Sequence, residues 1–163
     1  MRVIRPGEHT TNPTIFLAGP IQSAPAWHND AIEFLTHFSN NNAAYDIVSP
    51  KLLEKPKLFL YDAQVSWETK YLKHSADTGV ILFWLANPII GELDPTRSYA
   101  QTTRFELAEW FGKTCYDKNI KMVVGIEPGF HGERYIKYRM SNTIPIYDNL
   151  KNTCEHAWSY LNT

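Results

Sequence analysis

Residues Val80 to Ala86 read VILFWLA, an unbroken apolar run between the turn Asp77-Thr78-Gly79 and a loop rich in Pro, Gly and Asp from Asn87 to Ser98. The run is far too short to span a bilayer. With no polar residue on either face, it suits a central parallel strand covered on both sides. That requirement constrains everything else, because parallel neighbours need crossover connections and both faces need helices.

The remaining sequence offers both kinds of element. Thr14 to Ala18 (TIFLA) reads as a buried strand stopped by Gly19-Pro20, and Tyr45 to Val48 as another closed by Pro50. Ile120 to Ile126 is a further core strand, and Ile144 to Tyr147 an edge strand, where a proline is tolerable. Trp27, Ala31, Ile32, Leu35 and Phe38 recur at helical spacing, and Ser39-Asn40-Asn41-Asn42 ends that helix. Lys51 to Leu60 reads as loop. From Tyr61 a helix places Ala63, Trp67, Tyr71 and Leu72 inward, with Asp62, Glu68 and Lys70 away from that face. Phe105, Ala108, Phe111 and Cys115 mark the inner stripe of the next helix. A short helix covers Arg134 to Met140, and a last one carries Leu150, Cys154, Ala157, Trp158 and Leu161. Strands alternating with helices predict one doubly wound α/β domain over residues 1–163, with a parallel sheet of about five strands and helices on both faces.

Composition narrows the function. Sixteen basic residues against 17 acidic ones leave no basic track for a nucleic acid polymer. The opening MRVIRPGEHTTNP lacks the apolar core of a signal peptide, so a cytoplasmic protein with no membrane partner is expected. Cys115 and Cys154 read as buried reduced thiols. The scattered histidines show no ligand spacing, and neither a metal nor an organic cofactor is expected. The motifs G-x-G-x-x-G, G-x-x-x-x-G-K-[ST] and G-x-S-x-G are all missing, which argues against dinucleotide, P-loop and α/β-hydrolase sites.

In a doubly wound sheet, ligands sit outside the carboxyl ends of the strands. Here those ends are Ala18–Gly19, Val48–Ser49, Ala86–Asn87 and Ile126–Glu127, so the loops holding Gly19, Gln101 and Glu127 crowd one edge. Carboxylates are the chemistry left for that edge. Thr103 to Glu106 fits a capping box, placing Glu106 at the third helical position. The helix dipole there favours an ionised carboxylate, as a nucleophile requires. A glutamate at that position can equally be a plain cap. Glu68 and Asp62 read as solvated charges, Arg104 as a phosphate ligand or a partner of Glu109, and Trp67 and Trp84 as core.

Four stretches taken together add a family resemblance. IFLAGPI (Ile15–Ile21), YDAQVSWE (Tyr61–Glu68), VILFWLA and TTRFELAEW (Thr102–Trp110) resemble the nucleoside 2-deoxyribosyltransferase family, in order and over about three quarters of the chain. The resemblance implies a flavodoxin-like fold, a nucleoside or nucleotide substrate, and base exchange or hydrolysis through a glycosyl-enzyme intermediate. It sets Glu106 on the family's nucleophile, Glu68 near the acid that handles the base, and Gly19 and Pro20 on the loop lining the sugar pocket. Thr69 is the other residue near that acid and cannot be a general acid, which leaves Glu68 or Asp62 to assist the leaving base. Trp67 falls beside that acid and joins the substrate-binding set. Where the classical transferases carry an Asp-rich run, this chain has Ala100-Gln101-Thr102-Thr103-Arg104. Gln101 and Thr103 are left to bind the sugar, and Arg104 admits a phosphorylated one. Related proteins complete their pockets with a neighbouring subunit, which implies a homodimer or higher homo-oligomer. A non-catalytic nucleotide sensor on the same fold is the rival reading.

Overall fold

The computed structural model describes residues 1–39, 44–54 and 60–161. Asn40 to Asn42 of the predicted helix stop, and residues 55–59 of the predicted loop, lie outside them. The elements are β1 (Val3–Ile4), β2 (Thr14–Ala18), α1 (Trp27–Phe38), β3 (Asp46–Val48), α2 (Tyr61–Thr78), β4 (Val80–Leu85), α3 (Gln101–Tyr116), β5 (Met122–Ile126), α4 (Glu133–Met140), β6 (Ile146–Tyr147) and α5 (Leu150–Ser159). The strands form one six-stranded sheet in the order β1-β3-β2-β4-β5-β6, and every pairing is parallel.

Without β1 this is the doubly wound, flavodoxin-like order, and the direction of winding reverses between β2 and β4. The sixth strand exceeds the expected five because Val3 and Ile4 are an apolar pair inside a polar lead, too short to register as a strand. Ile47 N–H donates to Arg2 O (2.9 Å) and Ser49 N–H to Ile4 O (3.0 Å), adding that pair to the sheet's edge.

Both faces of the central strand are covered, as an all-apolar β4 demands. Ile81, Phe83 and Leu85 pack with residues of α2, α3 and α4. Val80, Leu82 and Trp84 pack with residues of α1 and α5. No helix among the described residues is long and apolar enough to cross a membrane.

Three expectations are overturned. On α3 the buried stripe is Thr103, Leu107, Trp110 and Thr114, while Phe105 is 72% exposed and Ala108 is exposed. Both stripes have helical spacing, but only the second carries a Trp. Its flanking threonine is compatible with burial because Thr114 Oγ1 donates to Phe111 O (2.8 Å). The same rotation leaves Cys115 exposed, and Cys154 alone is a buried thiol. On α2, Ala63 is exposed while Trp67, Tyr71 and Leu72 are buried, because the first turn runs past the edge of the core.

Candidate active site

The winding reversal sets the loops after β2 and β4 side by side at the carboxyl edge. Gly19 makes their close approach feasible. A Cβ there would lie 2.4 Å from the Trp84 carbonyl oxygen and 2.5 Å from Trp27 Cζ2, so no larger residue fits without moving the core. Trp27 Nε1 donates to Pro20 O (2.8 Å) and pins the loop from below. Both residues lie at the edge as expected, and both are held by the tryptophans.

The loop after β4 is tied on each side. Ile89 N–H donates to Ser23 O (2.8 Å), and Arg97 bonds the Gln22 side chain. On the other side, Glu127 Oε2 accepts from Asn87 N–H (2.6 Å), and Tyr99 OH donates to Ala86 O (2.8 Å). Glu127 therefore acts as a clasp between the ends of β4 and β5.

Two of the three predicted acids come within electrostatic reach of each other. Each flanks a buried stripe on its own helix: Glu68 lies between Trp67 and Tyr71 on α2, and Glu106 between Thr103 and Trp110 on α3. Both are half-buried. Burial, then the charges of Glu68 and Glu109, push the Glu106 carboxyl up from 4.5 to about 7. Burial raises Glu68 as well, against the hydrogen bond that Gln64 Nε2 donates to its Oε1 (2.6 Å). Glu106 therefore holds its proton up to near neutral pH, and the charge of Glu68 contributes to that. Gln64 was not singled out as a site residue, although its i, i+4 spacing to Glu68 was a readable signal. It also donates to Pro50 O (3.1 Å).

The structure departs from the sequence expectation at both acids. Helical spacing puts Glu68 away from the inner face, yet it lies within reach of Glu106 on α3. The capping-box pattern puts Glu106 in the first turn, held ionised by the helix dipole. The helix instead begins at Gln101, after Ala100 in the left-handed region at φ 56, and Arg104 N–H already donates to Ala100 O (2.9 Å). Glu106 thus stands in the second turn, where the dipole has faded, and no acidic residue occupies the first turn.

The other candidates disperse. Asp62 is exposed in the first turn of α2 and is not among the charges that act on Glu106. Gln101 is exposed at the head of α3, whereas Thr103 is 3% exposed. Arg104 does not pair with Glu109, whose partner is Lys113 (2.5 Å). Its guanidinium donates to His131 O (2.7 Å) and lies 4.6 Å from the Phe130 ring centroid, joining α3 to the loop after β5. Trp67 is a core residue that donates to Glu8 O (3.1 Å) and packs on Tyr71.

The result is a flavodoxin-like domain with two half-buried carboxyls, Glu68 on α2 and Glu106 on α3, the first of which acts electrostatically on the second. No protein-family model matches the chain, and no curated protein matches it significantly.

Proposed function

We propose that this protein cleaves or exchanges the N-glycosidic bond of a nucleoside or nucleotide, with Glu106 as nucleophile and Glu68 as the acid for the base. The observation that carries the proposal is a pair of half-buried carboxyls from different helices, each raised by burial and Glu106 also by the charge of Glu68. Such a pair suits a reaction that needs one carboxylate at an oxocarbenium-like carbon and one proton for the leaving group.

In the first step an oxygen of ionised Glu106 bonds to C1′ while the C1′–N bond breaks; the electron pair of that bond stays on the base, which takes the proton of Glu68. In the second, the nitrogen of another base attacks C1′, the C1′–O bond breaks with its electron pair returning to Glu106 as carboxylate, and the N–H proton of the incoming base goes to Glu68. Water in place of the second base gives hydrolysis. Helical spacing puts the exposed Tyr61 and Val65 on the stripe that carries Glu68, giving the flat face of a base an apolar surface there. Exposed Phe105, Tyr116, Tyr135 and Tyr138 support a homo-oligomer in which these aromatics are covered.

The test is chromatography of 2′-deoxynucleosides and their 5′-monophosphates incubated with the protein and a second free base. Exchanged nucleoside marks a transferase, and free base alone a hydrolase. In either case Glu106→Gln abolishes turnover. Binding without turnover in the wild type, equal to that of Glu106→Ala, leaves only a nucleotide sensor.

A further inference from the structure

The carboxyl edge holds a second polar cluster that the acid pair does not use. His28 stands in the first turn of α1 and is 1% exposed; Ser49, just past β3, is 0% exposed. Alternation gives Ser49 the face of Ile47, which packs in the layer of α1. The bond from Ser49 N–H to Ile4 O brings Arg5 alongside, and Arg5 Nη1 donates to Lys51 O (2.7 Å). The Trp27 ring, 3.7 Å from the imidazole between centroids, fixes its plane.

His28 Nε2 and Ser49 Oγ have no hydrogen-bond partner among the described residues. Buried polar groups are nearly always satisfied, so two orphans on one face of the ligand-binding edge point to a guest. Their surroundings set its charge. Burial, then Lys51 and Arg5, hold His28 down at about 3, so its ring is neutral at physiological pH. Glu8 accepts from the Arg5 backbone N–H (2.7 Å), and among the described residues no ion pair engages the Arg5 guanidinium. Arg5 and Lys51 are half-exposed, so an entering anion meets the cations before the buried donors.

We propose that Arg5, His28, Ser49 and Lys51 form a subsite for a tetrahedral oxyanion, either inorganic phosphate or a phosphate monoester. The Ser49 hydroxyl and His28 Nε2–H donate to its oxygens, and Arg5 and Lys51 balance its charge. This goes beyond the glycosyl chemistry and does not depend on it. The two regions adjoin all the same, since Gln64 bonds both Pro50 O and Glu68.

The experiment is calorimetric titration of inorganic phosphate into the wild type, Ser49→Ala and Lys51→Gln at low salt. Saturable binding is expected in the wild type, weaker by about tenfold in each variant. Ser49→Ala removes an orphaned hydroxyl, so its melting temperature without phosphate equals or exceeds the wild-type value, which separates lost binding from lost folding. Phosphate displaced by 2′-deoxyadenosine 5′-monophosphate, bound tighter than 2′-deoxyadenosine, assigns the subsite to a substrate's phosphate. Phosphate binding without that preference assigns it to a free anion and keeps the subsite. No saturable binding, or equal binding in both variants, overturns it. Glu106→Gln keeps phosphate binding, so a failed exchange assay beside intact phosphate binding refutes the glycosyl proposal alone.

Discussion

Replacing Glu106 with glutamine removes the titration most displaced from its ordinary range among the described carboxyls, and its effect on stability is calculable. A carboxyl that moves from 4.5 in the unfolded chain to about 7 in the folded one binds protons more tightly when folded. The contribution of Glu106 to stability is therefore fullest below pH 4.5, declines as pH rises toward 7, and is flat beyond. The full displacement corresponds to about 3 kcal/mol. Glu106 is partly solvated, and screening reduces this to about 1.5 kcal/mol. Glu106→Gln should match the wild type near pH 4.5 and exceed it by that amount at pH 8. In a chain of this size the gain amounts to about 3–6 °C in melting temperature. Thermal melts of both proteins across pH 4–8, in buffers free of nucleotide, measure it directly. Parallel curves over that range would refute the reasoning, because they would mean that the Glu106 carboxyl titrates alike folded and unfolded. A stabilising loss of this kind is what a group kept for chemistry predicts.

Further substitutions probe the scaffold. Glu68→Gln removes a like charge from Glu106, so the decline of stability should shift to lower pH, and carboxyl NMR titration of Glu106 should show its midpoint fall below 7. Gly19→Ala drives a Cβ into the Trp84 carbonyl and the Trp27 ring and should cost about 2 kcal/mol or more in urea unfolding. Arg104→Met loses the bond to His131 O and the contact with Phe130. It should cost about 1–2 kcal/mol and speed amide exchange in residues 127–132, with little change in α2.

How far the sequence could be read follows from the physics of each signal. β4 and β5 were legible because strands buried on both faces need unbroken apolar runs, and the parallel order followed from the alternation of strands with helices. β1 was not legible, since its only sheet signal is a hydrogen-bonded partner distant in sequence. The α3 stripe failed because helical periodicity fixes an angle between residues but not which of two stripes points inward. That choice is made by the sheet the helix packs on, and Leu107 and Trp110 are the residues that face it. The same rotation decided the site. With Trp110 and Thr103 inward, Glu106 between them turns toward α2, where Trp67 and Tyr71 bring Glu68 round to meet it. Sequence-local rules had assigned Glu106 to a helix cap and an ionised state, Glu68 to solvent, and Arg104 to Glu109. Each rule weighs only the few neighbouring residues. Burial between two helices is a property of the assembled layer, and it raised both carboxyls, Glu68 against the pull of Gln64. A carboxyl pair of this kind therefore becomes visible only once α2 and α3 are seated on the same face of the sheet.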